Sequence, residues 1–177
     1  DSWTTLANLP ANARYGATIY IPADGFVYIF QGNNTYRFWK YNIGTDSYEG
    51  YEETPTAFNT GSNLDYYNGY LYASRGANQT SFYRLNVSTN SWETLASATT
   101  SFNDEVDSTR AGTDIYYFRG SNTTTFYKYS TTGDTWTTLA DAPATVRYGV
   151  CLRDGHFQPM IYRLSEVEYP CYTDYRR

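Results

Sequence analysis

The chain has 177 residues, a net charge of −5 and a pI near 4.8. No cluster of Lys and Arg appears, which argues against nucleic acid or an anionic membrane as partner, and no apolar run reaches the roughly 18 residues that span a bilayer. Aromatic residues make up 19% of the chain, with 21 Tyr and 4 Trp. No stretch shows a 3.6-residue apolar period, so the pattern predicts pleated, half-buried strands and little helix.

In chain order, Trp3-Thr4-Thr5-Leu6 reads as a short strand and Pro10 ends the connection after it. Tyr15 to Ile21 alternates loosely and reads as a second strand. Asp24-Gly25 is a hairpin signal. Phe26 to Phe30 is nearly continuous in apolar residues and predicts a third strand buried on both faces. Gly32 closes it, Arg37 to Tyr41 reads as a fourth strand, and Asn42 to Asp46 turns the chain back. The third strand recurs as Tyr70-Leu71-Tyr72, Ile115 to Phe118 and Met160-Ile161-Tyr162; the fourth recurs as Phe82 to Leu85 and Phe126 to Tyr129.

The recurrence has a period of about 44 residues. Trp3, Tyr48, Trp92 and Trp136 each follow a turn-type pair, and Gly32, Gly76 and Gly120 fall at the same interval. Pro10, Pro55 and Pro143 stand seven residues after their anchors, with Thr99 in the remaining copy. Four short strands per unit describe a propeller blade. These residues, from "YIFQG" to "YRFWKYNIGTDSY" and their counterparts over nearly the whole chain, resemble the Kelch motif. The resemblance implies an all-β Kelch-like propeller of four short four-stranded blades, with repeats near 1–45, 46–89, 90–133 and 134–177. It departs where the family's double glycine is a single Gly preceded by Gln31, Arg75 or Arg119, and where Leu164, Pro170 and Cys171 break the fourth copy. The chain begins on an outer strand and ends on three inner ones, so the N-terminal strand is expected to close the last blade. An open array whose edges pair between chains is the alternative.

The resemblance implies no particular activity, since Kelch-like propellers host many unrelated roles; low charge and high Thr, Ser, Asn and Tyr content point to a non-catalytic extracellular binding module for a protein or glycan ligand. A subunit of a surface homopolymer or filament is the alternative, and a glycan-active enzyme comes third. Eleven residues after each anchor lie Arg14, Asn59, Asn103 and Arg147, which open the strand nearest a propeller axis and are expected at the mouth of its channel. Two arginines there would grip a carboxylate or sulfate. Gln31, Arg75, Arg119 and Arg163 form a second set, expected to satisfy carbonyls of neighbouring blades.

His156 is the only histidine and sits in a turn, so neither a copper site nor a Ser-His-Asp relay is expected. No cofactor or metal is expected. The acidic pairs Asp104-Glu105 and Glu52-Glu53 read as solvated loop residues rather than glycosidase carboxylates. Asn33, Asn78, Asn86 and Asn122 begin N-x-Ser/Thr sequons and are candidate glycosylation sites if the chain is secreted. The sequence opens at Asp1 rather than Met, so a processed or shortened N-terminus is expected. Cys151 and Cys171 suit either one disulfide or two thiols. In a regular blade their strands would lie roughly 10 Å apart, so a bond requires the last copy to be distorted, as Pro159 and Pro170 suggest.

Overall fold

Turn residues punctuate the chain, and the strands form between them. A computed structural model describes residues 2–103 and 106–145, without the side chains of Tyr51 and Glu52. It contains twelve strands among the described residues and no helix. The first sheet holds β1 (Thr18–Ile21), β2 (Phe26–Phe30), β3 (Thr35–Asn42) and β4 (Ser47–Phe58). The second holds β5 (Asn63–Tyr67), β6 (Tyr70–Ser74), β7 (Phe82–Asn86) and β8 (Ser91–Thr94). The third holds β9 (Asp107–Ala111), β10 (Asp114–Phe118), β11 (Phe126–Ser130) and β12 (Thr135–Thr138). Each sheet is an antiparallel meander in chain order. Its fourth strand carries the anchor aromatic of the next sequence copy, so a sheet straddles two copies. β5 lies beside both β1 and β9, which sets the three sheets side by side through their first strands.

The turns explain which residues recur. The link from second to third strand closes with a backbone bond from Thr35, Gln79 or Thr123 to the carbonyl of Gly32, Gly76 or Gly120. Its central pairs, Asn33-Asn34, Ala77-Asn78 and Ser121-Asn122, all have φ between 51° and 59°. Two successive left-handed residues make a type I′ turn, and asparagine tolerates that region better than most residues.

The sheets meet through aromatic side chains. Trp92 on β8 reaches back to Phe30, Phe38 and Phe58 of the first sheet, with ring centroids 5.9–6.4 Å apart. Trp136 on β12 packs on Phe82 of the second sheet at 5.1 Å, on Phe102 at 5.6 Å, and on Tyr117 and Tyr129 of its own sheet. Ile21, Leu64, Leu71 and Leu85 fill the first gap; Leu95, Ile115 and Tyr127 fill the second. Trp3 does not repeat the pattern. Ser2 to Leu9 forms no strand, and Trp3 is fully exposed. The three last-copy strands expected to pair with it lie outside the described residues. Phe26 to Phe30 also differs from expectation. Only Tyr28 and Phe30 are fully buried, because one face of β2 is covered more completely than the other.

Polar joints reinforce the packing. Asp134, at φ 49°, accepts from Ala96 N (2.8 Å) and Tyr129 Oη (2.9 Å), while Trp136 Nε1 donates to Ala96 O (2.8 Å). Asp46, also at φ 49°, accepts from Ala7 N (2.8 Å) and Tyr41 Oη (2.7 Å), and Tyr48 Oη donates to Ala7 O (3.4 Å). The bonds from Ala7 and Tyr41 hold the Asp46 carboxyl below its usual range. Ala7 therefore stands to the first sheet as Ala96 stands to the third. Between the first two sheets the clasp is missing. Leu85 replaces the tyrosine, Asn90 replaces the aspartate, and both Asn90 Oδ1 and Trp92 Nε1 are buried without a partner among the described residues.

Truncating Trp136 to Ala is expected to cost about 3–5 kcal/mol in urea unfolding. Trp3→Ala, by contrast, is expected to stay within about 0.5 kcal/mol. Equal losses would mean that Trp3 is packed in solution.

Candidate functional site

Three loops enter the first strands of the sheets, and they carry Arg14, Asn59 and Asn103. The structure brings these loops side by side through their backbones. Ser62 Oγ donates to Tyr15 O at 3.3 Å. Gly61, at φ 76°, lies so close to Asn103 that a Cβ there would strike the Asn103 carbonyl. Gly76, at φ 66°, lies just as close to Thr60 O.

Arg75 Nε donates to Ala57 O (3.3 Å), Arg119 Nε to Ser101 O (3.3 Å) and Gln31 Nε2 to Asn12 O (2.8 Å). Each accepting carbonyl stands two residues before Asn59, Asn103 or Arg14. The second recurrent set thus braces the loops that present the first. Arg163, its fourth member, lies outside the described residues, as does Arg147 of the first set.

The side chains of the first set do not meet one another among the described residues. Arg14 is exposed, and its guanidinium lies 4.4 Å from the centre of the Tyr15 ring and donates to Tyr15 Oη at 2.6 Å. It borders a recess of about 240 Å³ walled by Leu9, Tyr15, Ile29 and Phe30. Asn59 and Asn103 are half-buried. Arginine on a tyrosine face is held by cation–π attraction while its remaining N–H groups stay open to an acceptor.

The sequons sit at both ends of the sheets. Asn33, Asn78 and Asn122 are exposed in the type I′ turns beside the Arg14 loops. The repeat-equivalent residues are Asn34, Asn78 and Asn122, so the recurring asparagine answers to backbone conformation, and the first sequon is offset by one. Asn86 differs: its Oδ1 accepts from Ser88 N and Thr89 N and closes the β7–β8 turn. Cys151, Cys171 and His156 lie outside the described residues, as do Asp104 and Glu105. Glu53 is exposed.

One residue escaped sequence reasoning. Asp65 on β5 is buried between β5 and β9, accepting from Ser108 Oγ and from Tyr117 Oη at 3.3 Å. Burial pushes its carboxyl from 3.8 up to about 6, against the two hydroxyl bonds and with Asp107 and Arg110 acting in opposite senses. An aspartate on a short strand carries no sequence signal that a neighbouring sheet will cover it.

No family model and no curated protein matches the chain. A solved structure titled "Structure of YjhT" matches with a TM-score of 0.66 and 15% identity, over 82% of this chain and 58% of that one. The likeness establishes a shared all-β fold, and this chain spans 58% of that protein's length.

Gly61→Ala is expected to destabilise by more than the roughly 1 kcal/mol set by backbone conformation alone. Gly69→Ala, at φ 82° with open space around it, supplies that reference cost. Similar losses for both would show that the Gly61–Asn103 contact is loose.

For Asp65, the folded state holds a proton between pH 3.8 and about 6 that the unfolded chain has released. Its contribution therefore falls as pH rises through that window and stays low above it. Asp65→Asn should flatten this dependence, narrowing the stability difference between pH 4 and pH 7 by on the order of 2 kcal/mol. Urea melts at the two pH values measure it; an unchanged slope would overturn the assignment.

Proposed function

We propose that the chain is a non-catalytic binding module acting outside the cell, built on a Kelch-like propeller of four short blades. In this reading the three sheets are blades, and β1, β5 and β9 line the channel. The N-terminal segment is the outer strand of a fourth blade completed by the last repeat. The docking of Ala7 on Asp46, matching that of Ala96 on Asp134, supports that closure.

The observation that carries the binding reading is the braced loop end. Gln31, Arg75 and Arg119 hold the loops of Arg14, Asn59 and Asn103 by their carbonyls, which leaves polar side chains at one end of the sheets. Preorganised loops lose less entropy on binding. A protein or glycan ligand bearing a carboxylate or sulfate fits Arg14 and Arg147. The exposure of Asn33, Asn78 and Asn122 leaves their sequons accessible to glycans on a secretory route. The second reading, a subunit of an extracellular assembly, is favoured by the exposure of Trp3, Leu6 and Leu9 at 101%, 55% and 41%. Such residues bury well against another chain.

Light scattering of the native protein separates the two. A 20.3 kDa monomer is expected for the binding module. Arg14→Ala combined with Arg147→Ala should then abolish capture of sulfated and carboxylated glycans on an array, with the melting temperature unchanged. A large particle without ligand would instead support the assembly.

A further inference from the structure

A cleft of about 540 Å³ opens between the first two sheets, at the end opposite the Arg14 loops. Its walls are the β1–β2 turn with Ala23 and Asp24, the β5–β6 turn with Asn68 and Gly69, and the β7–β8 turn from Asn86 to Ser88. Tyr28, Tyr66, Tyr70 and Lys40 line it from the strands. The volume lies in the range of small-molecule sites.

The chemistry of the lining selects a ligand. Asp24 is committed: Oδ1 accepts from Phe26 N at 3.1 Å and Oδ2 from Tyr28 Oη at 2.7 Å. Lys40 makes no ion pair among the described residues, and its Nζ stands 5.5 Å from the centre of the Tyr28 ring. The Tyr70 ring belongs with Tyr72 on the other face of β6, toward the next gap, where the Arg84 guanidinium stands 4.4 Å from its centre and pairs with Glu93 at 2.7 Å. Tyr66, packed toward the first sheet, is half-buried, and its hydroxyl has no partner among the described residues. The Asn68 amide is likewise uncommitted, and Asn86 uses only its Oδ1, leaving Nδ2 available.

The cleft thus presents amphipathic tyrosine surface, several uncommitted hydrogen-bonding groups and two opposite charges, Asp24 and Lys40, that cancel. A neutral polyhydroxylated ring matches this: its C–H face packs on the tyrosines and its hydroxyls both donate and accept. An anion gains little where a carboxylate offsets the ammonium.

The next gap is different. There Arg84 occupies the register position of Lys40 and reaches Tyr72, and Thr131 on the facing turn donates to Thr113 O at 2.6 Å. The first gap also lacks the outer Asp–Tyr clasp that secures the second. We infer that the cleft between the first two sheets is a binding site for a neutral mono- or disaccharide, separate from the Arg14 loops.

Saturation-transfer NMR and calorimetry on the full chain test this with maltose, lactose and cellobiose as probes and glucuronate as the charged comparison. At least one neutral sugar is expected to bind with a dissociation constant of roughly 0.1–10 mM. Tyr66→Ala should weaken it about tenfold or more. Ala23→Trp, at an exposed turn position on the rim, should block it while leaving the melting temperature unchanged. Arg14→Ala should leave it intact, so the cleft and the loop end fail or succeed separately. Absence of binding by every neutral probe, binding unaffected by Ala23→Trp, or preference for glucuronate would each overturn the assignment.

Discussion

A four-stranded sheet of this chain cannot bury both its faces alone, and the structure depends on how that deficit is met. In the second and third sheets the anchor tryptophan of the last strand leans into the gap toward the sheet before it. Trp92 and Trp136 close the two gaps over Phe30, Phe38, Phe58 and Phe82. Each such ring carries a large apolar area, and aromatic pairs add about 0.5–1.5 kcal/mol beyond burial. Stacking each sheet on the next makes stability a sum of neighbour terms, as in other repeat proteins. The loops at the sheet ends rest on these filled gaps and are braced by Gln31, Arg75 and Arg119.

Polar groups then differentiate joints that packing leaves similar. Asp46 and Asp134 clasp a backbone amide of the preceding segment, while Asn90 with Leu85 leaves the middle joint without that bond. Buried polar atoms without partners are costly, and Asn90 Oδ1 and Trp92 Nε1 have none among the described residues. The 540 Å³ cleft opens between the same two sheets, at the hairpin end. Nearer the inside, Asp65 ties β5 to β9 through Ser108 and to β10 through Tyr117. Openness on one side of the second sheet and a buried carboxylate on the other follow from different substitutions in a shared frame.

Much of the strand layout was legible in the residues. The apolar runs at Phe26, Tyr70 and Ile115 became β2, β6 and β10, and the runs at Arg37, Phe82 and Phe126 became β3, β7 and β11. The bracing by Gln31, Arg75 and Arg119 was legible too, because a polar residue repeated at every strand end must meet the same backbone each time. Trp3 to Leu6 reads as a strand because its residues resemble those around Trp92, yet it forms none, since a strand needs a partner's ladder as well as its own residues. Arg14 was expected to point at a shared mouth, but Tyr15 next to it offers a nearer aromatic face.

By itself, then, the sequence determined the local matters: the alternation of strands, the left-handed turns at Asn34, Asn78 and Asn122, and the 44-residue spacing of anchors. These depend on each residue's own backbone preferences and its near neighbours. Tertiary structure alone decided that Asp65 is buried, that Ala7 docks on Asp46, and that the gap between the first two sheets holds a cleft. Each of those is set by side chains about 40 residues apart meeting across a gap between sheets, and no local propensity encodes which face a neighbouring sheet will cover.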